Sequence, residues 1–254
     1  MKRASEHKPQ DQLIGILGGM GPEATLDLFR HIINLTPAAK DQDHIRVLIY
    51  SNPKIPDRTE AFTAGGESPL PCLIEAARLL EEGGAGIIAM PCNAAHHYLP
   101  EMRRNVGIPI LDMIAETCRT VRSLLPEALA LGLLATTGTV RSGIYSTALS
   151  REGLKLLLPE DKDHRKVQEA IAQVKAGTHN KRTRENLRSV GMRLMKAGAQ
   201  AIILGCTEIP LSLDPDTLDF PALNPGKILA QAAVDWALGK RDESAPTRRR
   251  WQKQ

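Results

Sequence analysis

The chain has 254 residues, enough for one large domain or for two of about 110 residues that each bury a core. Apolar residues make up 42% and charged residues 24%, an ordinary globular mixture, whereas aromatic residues make up only 3%. Scarce aromatic side chains argue against a surface that stacks nucleic-acid bases. The formal net charge of +4 lies in the two ends of the chain, and the neutral body argues against a nucleic-acid footprint.

The ends of the chain, residues 1–11 and 241–254, are predicted to be disordered tails. The arginines at residues 248–250 are interpreted as part of a solvated charged tail. The N-terminal tail lacks the apolar stretch of a signal peptide, and no run is long enough to span a membrane. We therefore expect a cytoplasmic protein with reduced cysteines and no membrane or nucleic-acid partner.

Short apolar runs alternate with stretches of helical periodicity along the body of the chain. Strands are predicted at residues 13–17, 45–50, 108–111, 128–134, 154–158 and 220–223, and in the two runs that end at Cys92 and Cys206. Helices are predicted at residues 26–33, 70–83, 94–105, 113–125, 165–177, 183–198 and 228–238. Residues 51–58 are rich in proline and are predicted to form a loop.

Two of the apolar runs are similar to each other. Each begins with a glycine, at residues 84 and 198, and ends in a cysteine before a small polar residue: Cys92 before Asn93, and Cys206 before Thr207. A continuous apolar run predicts a strand that is buried on both faces of a parallel sheet. Ligand sites in open α/β sheets lie beyond the carboxyl ends of the strands, so both thiols are expected at such a site.

The order strand, helix, strand, helix, thiol strand, short strand occurs twice, which is typical of parallel βαβ units. The predicted fold class is α/β, with two similar domains that contain parallel sheets and are related by a pseudo-twofold axis. The first domain would comprise residues 12–115 and the C-terminal helix 226–240, and the second residues 116–225. The active site is expected in the cleft between them, where each domain presents one thiol.

Two thiols on opposite faces of a bound molecule can invert a carbon centre. One thiolate removes a proton from the carbon, and the other thiol delivers a proton to the opposite face. A cysteine at the start of a helix is expected to have a pKa below the usual value of about 8.5, because unpaired N–H groups stabilise the thiolate. The alternative is that Cys92 and Cys206 are small core residues.

Metal binding is a second alternative, because His96 and His97 follow Cys92. The pattern lacks the second ligand pair of a structural zinc site. We therefore expect both histidines in the helix after the thiol, with one of them facing inward. Cys72 and Cys118 lie in helical patterns without polar companions and are interpreted as packing residues.

Four motifs together resemble those of the aspartate/glutamate racemase family. They are Gly-Gly-Met-Gly-Pro at residues 18–22, Asn-Pro-Lys-Ile-Pro-Asp-Arg at 52–58, Met-Pro-Cys-Asn at 90–93 and Gly-Cys-Thr-Glu at 205–208. The first motif is similar to that of the aspartate racemase branch, and the resemblance extends over residues 13–238. It implies a dimeric amino-acid racemase that needs neither pyridoxal phosphate nor a metal and binds its substrate between two α/β domains.

The resemblance also implies roles for individual residues. Cys92 and Cys206 would be the two acid/base groups. The substrate-binding residues would be Met20, Asn52, Arg58, Asn93, Ala94, Thr136, Thr137, Gly138, Thr139, Lys175, Thr207 and Glu208. Arg58 would hold an acidic side chain, because a guanidinium offers a carboxylate two parallel donors. Glu208 would orient its neighbours, accept the substrate ammonium group or cap the next helix.

At three of these positions the sequence departs from the family pattern or allows another interpretation. Many members of the family have threonine at the position of Ala94, so a hydroxyl that would bind the substrate carboxylate is missing here. We expect this departure to change affinity or substrate range and to leave the two-thiol chemistry intact. For Arg58 and Lys175, a solvated surface charge is the alternative.

The sequence favours racemisation of aspartate or glutamate, with related chemistries as alternatives. Hydantoin racemase, maleate isomerase and arylmalonate decarboxylase are linked to this chain by the same resemblance. The decarboxylase type needs only one thiol, whereas maleate isomerase also uses two, so the motifs leave the isomerases open. A non-catalytic sensor of an acidic metabolite would need neither thiol.

Overall fold

A computed structural model of the chain describes residues 12–240. The strands are β1 (Leu13–Gly18), β2 (Arg46–Ser51), β3 (Ile87–Ala89), β4 (Ala130–Leu134), β5 (Lys155–Leu157), β6 (Ile202–Leu204) and β7 (Ala222–Leu223). The helices are α1 (Pro22–Leu35), α2 (Arg58–Thr63), α3 (Leu70–Glu82), α4 (Leu99–Asn105), α5 (Met113–Leu124), α6 (Thr137–Arg141), α7 (Ile144–Arg151), α8 (Asp161–Lys175), α9 (Lys181–Lys196), α10 (Ile209–Ser212) and α11 (Pro225–Ala237). Short 3-10 turns lie at Asp41–Asp43, Ala94–Tyr98 and Pro215–Thr217.

The strands form two parallel sheets with matching strand order. The first sheet has the order β2-β1-β3 and the second the order β5-β4-β6-β7. A parallel bridge between Ile88 and Ile110 occupies, beside β3, the place that β7 occupies beside β6. The predicted fold class, α/β with parallel sheets, is confirmed.

The predicted strand at residues 108–111 is reduced to that single bridge. The backbone N–H of Ile88 donates to the Pro109 carbonyl, and the Leu111 N–H donates to the Ile88 carbonyl. Pro109 has no N–H to extend the ladder. Asp112 then caps α5 by accepting from the N–H groups of Ile114 and Ala115, which ends the extended segment.

Helices cover both faces of each sheet, as the continuous apolar strands require. In the first sheet, α3 packs on one face and α1 with α11 on the other. In the second sheet, α8 and α9 pack on one face and α5 with α7 on the other. Central strand residues such as Ile14, Ile16 and Leu204 are completely buried. Each such side chain stabilises the fold by about 1.5–3 kcal/mol relative to exposure.

Two helical regions were not predicted from the sequence. Helix α2 begins where a loop was expected, because the Asp57 carboxylate caps it by accepting from the N–H groups of Thr59 and Glu60. Helices α6 and α7 lie in the stretch after β4, where Gly143, with a φ of 68°, separates them.

The predictions about the terminal segments and the domain division are not tested by the observed fold. Residues 1–11 and 241–254, predicted as tails, are outside the described residues. The division into domains 12–115 and 116–225 stays a prediction, although α11 does pack on the first sheet. Within residues 12–240, no helix has the length and apolar character needed to cross a membrane.

Candidate active site

One small cavity lies beyond the carboxyl ends of β3 and β6. Cys92 follows β3 by three residues and Cys206 follows β6 by two, so equivalent strands of the two sheets carry the thiols. Each cysteine is only 7% exposed. The residues that line the cavity are Met20, Asp57, Arg58, Thr59, Cys92, Asn93, Ala94, Thr136, Thr139, Lys175, Gly205, Cys206, Thr207 and Glu208. The two thiols therefore share one buried space.

The two sides of the cavity are joined by direct contacts. The Thr207 hydroxyl donates to the Pro91 carbonyl over 3.3 Å, which ties together the two segments that carry the thiols. Helix α2 packs against α6 at Gly138, where an added Cβ would lie 2.8 Å from the Cα of Thr59. The close approach of α2 and α6 thus depends on a residue without a side chain at position 138.

Cys206 has a carboxylate partner. Its Sγ lies 2.9 Å from Oε2 of Glu208 and donates a hydrogen bond to it. Burial, the charge of Glu208 and this hydrogen bond raise the pKa of Cys206 well above its ordinary value, and nearby Lys175 only partly opposes them. The sequence-based expectation of a lowered thiol pKa is wrong for Cys206. The following helix, α10, has only four residues, and desolvation dominates.

Glu208 is a buried carboxylate in the cavity lining. Its Oε2 also lies 3.3 Å from the Thr207 hydroxyl oxygen, whose single proton the carboxylate shares with the Pro91 carbonyl, whereas its Oε1 is buried without a hydrogen-bond partner among the described residues. A Cβ on Gly21, in the first glycine-rich turn, would lie 3.3 Å from that Oε1. Glu208 precedes α10 but makes no side-chain capping bond. Of the roles considered from sequence, helix capping is therefore excluded.

Arg58 is held in place by its own loop. Its Nη1 donates to the carbonyls of Ile55 and Pro56 over 3.1 and 2.8 Å. Its Nε is buried and has no hydrogen-bond partner within residues 12–240. Arg58 lines the cavity, so the expected alternative of a solvated surface charge does not hold for this residue.

Lys175, the last residue of α8, supplies a second cation to the cavity lining, although the residue as a whole is exposed. Desolvation alone would lower the pKa of Lys175, but the charges of Glu208, Cys206, Asp57 and Cys92 outweigh it, so that its pKa is raised and the ammonium form is favoured. For Asp57, burial opposes ionisation, but the Glu60 N–H and the charge of Lys175 hold the pKa below its usual range. The cavity lining thus contains two cations and two carboxylates, with Lys175 near both Glu208 and Asp57 and Arg58 near Asp57.

Three residues predicted for the site do not line the cavity. The Asn52 carboxamide accepts from the Lys54 N–H over 2.9 Å in a local turn. The Thr137 hydroxyl is 2.9 Å from Nε2 of His164. Gly138 lies against Thr59, as described above. All the other residues predicted for the site line the cavity.

The structure adds residues that the sequence analysis missed. Asp57, Thr59 and Gly205 line the cavity. Their only sequence signal was their position beside predicted residues. Tyr145, in α7, donates its hydroxyl proton to Oδ1 of Asn93 over 2.6 Å. No local signal identifies this contact, because the two residues are 52 positions apart.

The two histidines after Cys92 face in different directions, as expected. His96 is buried, and its Nδ1 donates to the Cys92 carbonyl over 2.8 Å, since a carbonyl can only accept. Burial lowers the pKa of His96 and keeps the ring neutral. His97 is exposed and contacts the ring of Phe62 edge-on, with 4.6 Å between ring centroids. Cys118 packs in the core, as predicted.

Known proteins are similar to this chain in sequence and in fold. Residues 17–233 match the family model described as Asp/Glu/Hydantoin racemase. The broad specificity amino-acid racemase RacX of Bacillus subtilis (strain 168) is 30% identical over 89% of this chain and 98% of its own length. The aspartate racemase of Picrophilus torridus superposes with a TM-score of 0.80 at 32% identity, over 89% of this chain and 94% of that chain.

A second solved structure agrees with these relatives. An aspartate racemase homologue from Pyrococcus horikoshii OT3 superposes with a TM-score of 0.72 at 25% identity, over 89% of this chain and 99% of that chain. The family match covers most of the sequence, including both cysteine motifs. The chain therefore belongs to the Asp/Glu/hydantoin racemase family, and the enzyme class expected from its sequence, an isomerase of the racemase type, is confirmed.

Proposed function

We propose that this protein inverts the Cα of a small amino acid, aspartate or glutamate, without a cofactor, and that Cys92 and Cys206 are its two acid/base groups. One observation carries the proposal: two buried thiols, from equivalent strands of two sheets, line the same cavity. The relatives described as aspartate or amino-acid racemases support the same chemistry.

The proposed reaction is a pair of proton transfers at carbon. The thiolate of one cysteine removes the Cα proton, and the thiol of the other donates a proton to the opposite face, so that no electrons are gained or lost. When Cys206 acts as the base, its own proton first moves to Glu208, which is already within hydrogen-bond distance. Lys175 and the donors beside the thiols stabilise the negative charge that develops on the substrate.

The charged lining supports an acidic substrate. Arg58 presents a buried Nε without a partner among the described residues, and the pKa of Lys175 favours its charged form. We assign Arg58 to the side-chain carboxylate of the substrate. We assign Asn93, Thr207 and the turn at residues 136–139 to its α-carboxylate and ammonium group. Because Ala94 removes one hydroxyl and RacX is described as having broad specificity, neutral amino acids belong in any substrate screen.

The cavity has a volume of about 20 Å³, which is room for about one water molecule. An amino acid can enter only if the two sides separate. We propose that the sides are the two domains, residues 12–115 with helix 226–240 and residues 116–225, in a pseudo-twofold arrangement, and that they open for substrate. The contacts that must break include the Thr207 bond to the Pro91 carbonyl.

We also propose that the protein is a cytoplasmic homodimer. Leu26 and Ile33 of α1 are 49% and 40% exposed, and Ile49 of the edge strand β2 is 39% exposed. These exposed apolar side chains are our candidates for the surface that a second copy covers. The four cysteines are all free, which agrees with a reducing compartment. Light scattering at several protein concentrations tests the dimer.

The function is tested in heavy water. The protein is incubated with each common amino acid, and chiral chromatography with mass spectrometry follows inversion and deuterium at Cα. We expect inversion of aspartate or glutamate with one deuterium gained, and no effect of added pyridoxal phosphate. Hydantoins are assayed in parallel because the family model includes hydantoin racemase. Maleate is assayed because maleate isomerase also uses two thiols. If no amino acid is inverted, the proposed function is wrong.

Serine variants test the two thiols. Cys92→Ser and Cys206→Ser should each abolish inversion, because a serine hydroxyl is far less acidic than a thiol. Each variant is expected to keep deuterium exchange from one enantiomer at most. Cys72→Ser is the matched control, because Cys72 is partly buried and lies outside the cavity. A Cys92→Ser or Cys206→Ser variant with the wild-type rate would contradict the pairing.

A further inference from the structure

A buried hydrogen bond joins Tyr145 to the residue after Cys92. The Tyr145 hydroxyl donates to Oδ1 of Asn93 over 2.6 Å, and the two residues are only 1% and 2% exposed. Tyr145 lies in α7, beside the second sheet, whereas Asn93 follows β3 in the first sheet. The bond therefore links the two sides of the cavity and ends on a residue of its lining.

Tyr145 is well suited to hold a neighbour in place. It belongs to the same buried cluster as Cys118, Val121 and Leu149, so the surrounding core restricts its ring. Burial raises the pKa of Tyr145 well above its ordinary value, and the hydroxyl keeps its proton. Tyr145 is thus a constant hydrogen-bond donor to Asn93.

The bond determines which end of the Asn93 carboxamide is available to a ligand. Because Oδ1 accepts from Tyr145, the NH2 group is directed away from that hydroxyl. Nδ2 of Asn93 is buried and has no hydrogen-bond partner among residues 12–240. A buried donor without an acceptor is unfavourable, so this position favours a bound molecule that supplies an acceptor.

We propose that Tyr145 is a positioning residue that turns the Asn93 NH2 group toward the substrate, so that Asn93 binds the α-carboxylate and not the ammonium group. A carboxylate offers only acceptors and an ammonium group only donors, so a fixed donor distinguishes the two. The inference rests on the proposed function. Beyond that function, it assigns a role to Tyr145, which lies outside the cavity lining, and it states which end of the Asn93 carboxamide faces the substrate.

A double-mutant cycle tests the positioning role. Tyr145→Phe removes the hydroxyl and keeps the ring, so the freed carboxamide can turn away from the substrate. We expect KM for the amino acid that the wild type racemises best to rise about tenfold, with kcat changed less than about threefold. In an Asn93→Ala background, Tyr145→Phe should not raise KM further. Tyr50→Phe, in β2 and outside the cavity, should leave both constants unchanged.

Equal rises in KM with and without the Asn93 side chain would overturn the positioning role, because a general packing defect does not depend on Asn93. Thermal midpoints of all variants are measured beside the kinetics. If Tyr145→Phe does not fold, the polarity of Asn93 is still tested directly by the next variant.

Asn93→Asp has nearly the shape of the wild-type side chain and places a negative charge where the NH2 group stands. We expect its kcat/KM to fall below that of Asn93→Ala, because that charge faces the substrate carboxylate. A kcat/KM equal to or above that of Asn93→Ala would show that an acceptor faces the substrate, and would overturn the inference. A wild type that racemises no amino acid overturns the proposed function and this inference with it. An active wild type with the contrary variant results overturns the inference alone.

Discussion

The Sγ atom of Cys206 donates a hydrogen bond to Oε2 of Glu208 over 2.9 Å, whereas no side chain of residues 12–240 forms a hydrogen bond with Sγ of Cys92. The two thiols are therefore not equivalent, although equivalent strands carry them. A racemase needs one of its groups to start as a base and the other as an acid. In the proposed reaction, the buried carboxylate beside Cys206 accepts the proton of that thiol.

Glu208→Gln should lower the pKa of Cys206 and at the same time lower kcat. The neutral carboxamide removes the charge that helps burial to raise the pKa of Cys206, so we expect the thiol to ionise at lower pH. At the same time kcat should fall by about 10²–10⁴-fold, because no carboxylate accepts the thiol proton. Alkylation of the Cys206 peptide across pH, followed by mass spectrometry, measures ionisation, and chiral chromatography measures kcat.

Glu169→Gln is the control for that experiment, because Glu169 is an exposed residue of α8 outside the cavity. It should change neither the alkylation profile nor kcat. An unchanged alkylation profile in Glu208→Gln would mean that the carboxylate does not influence the thiol. An unchanged kcat would mean that Glu208 does not take the proton.

Arg58→Ala is expected to change substrate preference. Nη1 of Arg58 is held by the Ile55 and Pro56 carbonyls, its Nε is buried without a hydrogen-bond partner among residues 12–240, and the residue lines the cavity. Truncating one partner of a buried charged pair costs about 2–5 kcal/mol, so kcat/KM for aspartate should fall about 30-fold or more. The value for alanine should change little. Steady-state kinetics on both substrates measures the ratio.

Arg58→Lys keeps the charge without the two parallel donors and should recover only part of the loss. Arg30→Ala, at an exposed position of α1, controls for the removal of one positive charge. Equal losses on aspartate and alanine in Arg58→Ala would contradict the assignment of Arg58 to the acidic side chain.

Gly138→Ala should prevent the two sides of the cavity from closing. The new Cβ would lie 2.8 Å from the Cα of Thr59, and a backbone atom cannot move aside without shifting α2. The φ of Gly138 is not positive, so alanine itself is tolerated there. We expect kcat/KM to fall at least about tenfold while the thermal midpoint changes by only a few degrees.

Arg141→Ala, at an exposed position of the same helix, is the matched control and should leave both quantities unchanged. A fall in the thermal midpoint as large as that of a core mutation would mean that the Gly138 contact stabilises the fold. Wild-type kcat/KM in Gly138→Ala would show that the approach of α2 to α6 is not needed for catalysis.

Local patterns in the sequence were sufficient to predict the parallel sheets and the positions of the two thiols after their strands. Residues 201–205, directly before Cys206, include no polar residue to face water, so this run is expected to be a buried parallel strand, and β6 is completely buried. Residues 108–111 look similarly apolar, but Pro109 and the Asp112 cap limit them to one bridge. Short helices such as α2 depend on a single capping carboxylate, which periodicity does not detect.

The electrostatics of the site could not be predicted in the same way. The pKa of Cys206 depends first on burial, which is set by the assembled fold and not by the neighbouring residues in sequence. The bond from Tyr145 to Asn93 joins positions 52 residues apart. Such a contact forms only when the two segments are brought together by the fold.

His96 should make folding stability dependent on pH. Burial lowers the pKa of His96 below its ordinary value of 6.5, so below about pH 6.5 the unfolded chain binds a proton that the folded protein does not. Stability is therefore complete above pH 6.5 and falls as the pH decreases, by about 1.4 kcal/mol per unit from this residue.

Urea unfolding at pH 7.5 and 5.5 measures the difference in folding stability, which should be smaller in His96→Asn, where the carboxamide can still donate to the Cys92 carbonyl. His97→Asn, at an exposed position, should keep the wild-type difference. His164 also has a lowered pKa and contributes in every variant, so the comparison among variants is decisive. If His96→Asn and the wild type lose equal stability between the two pH values, His96 is not the neutral buried group described here.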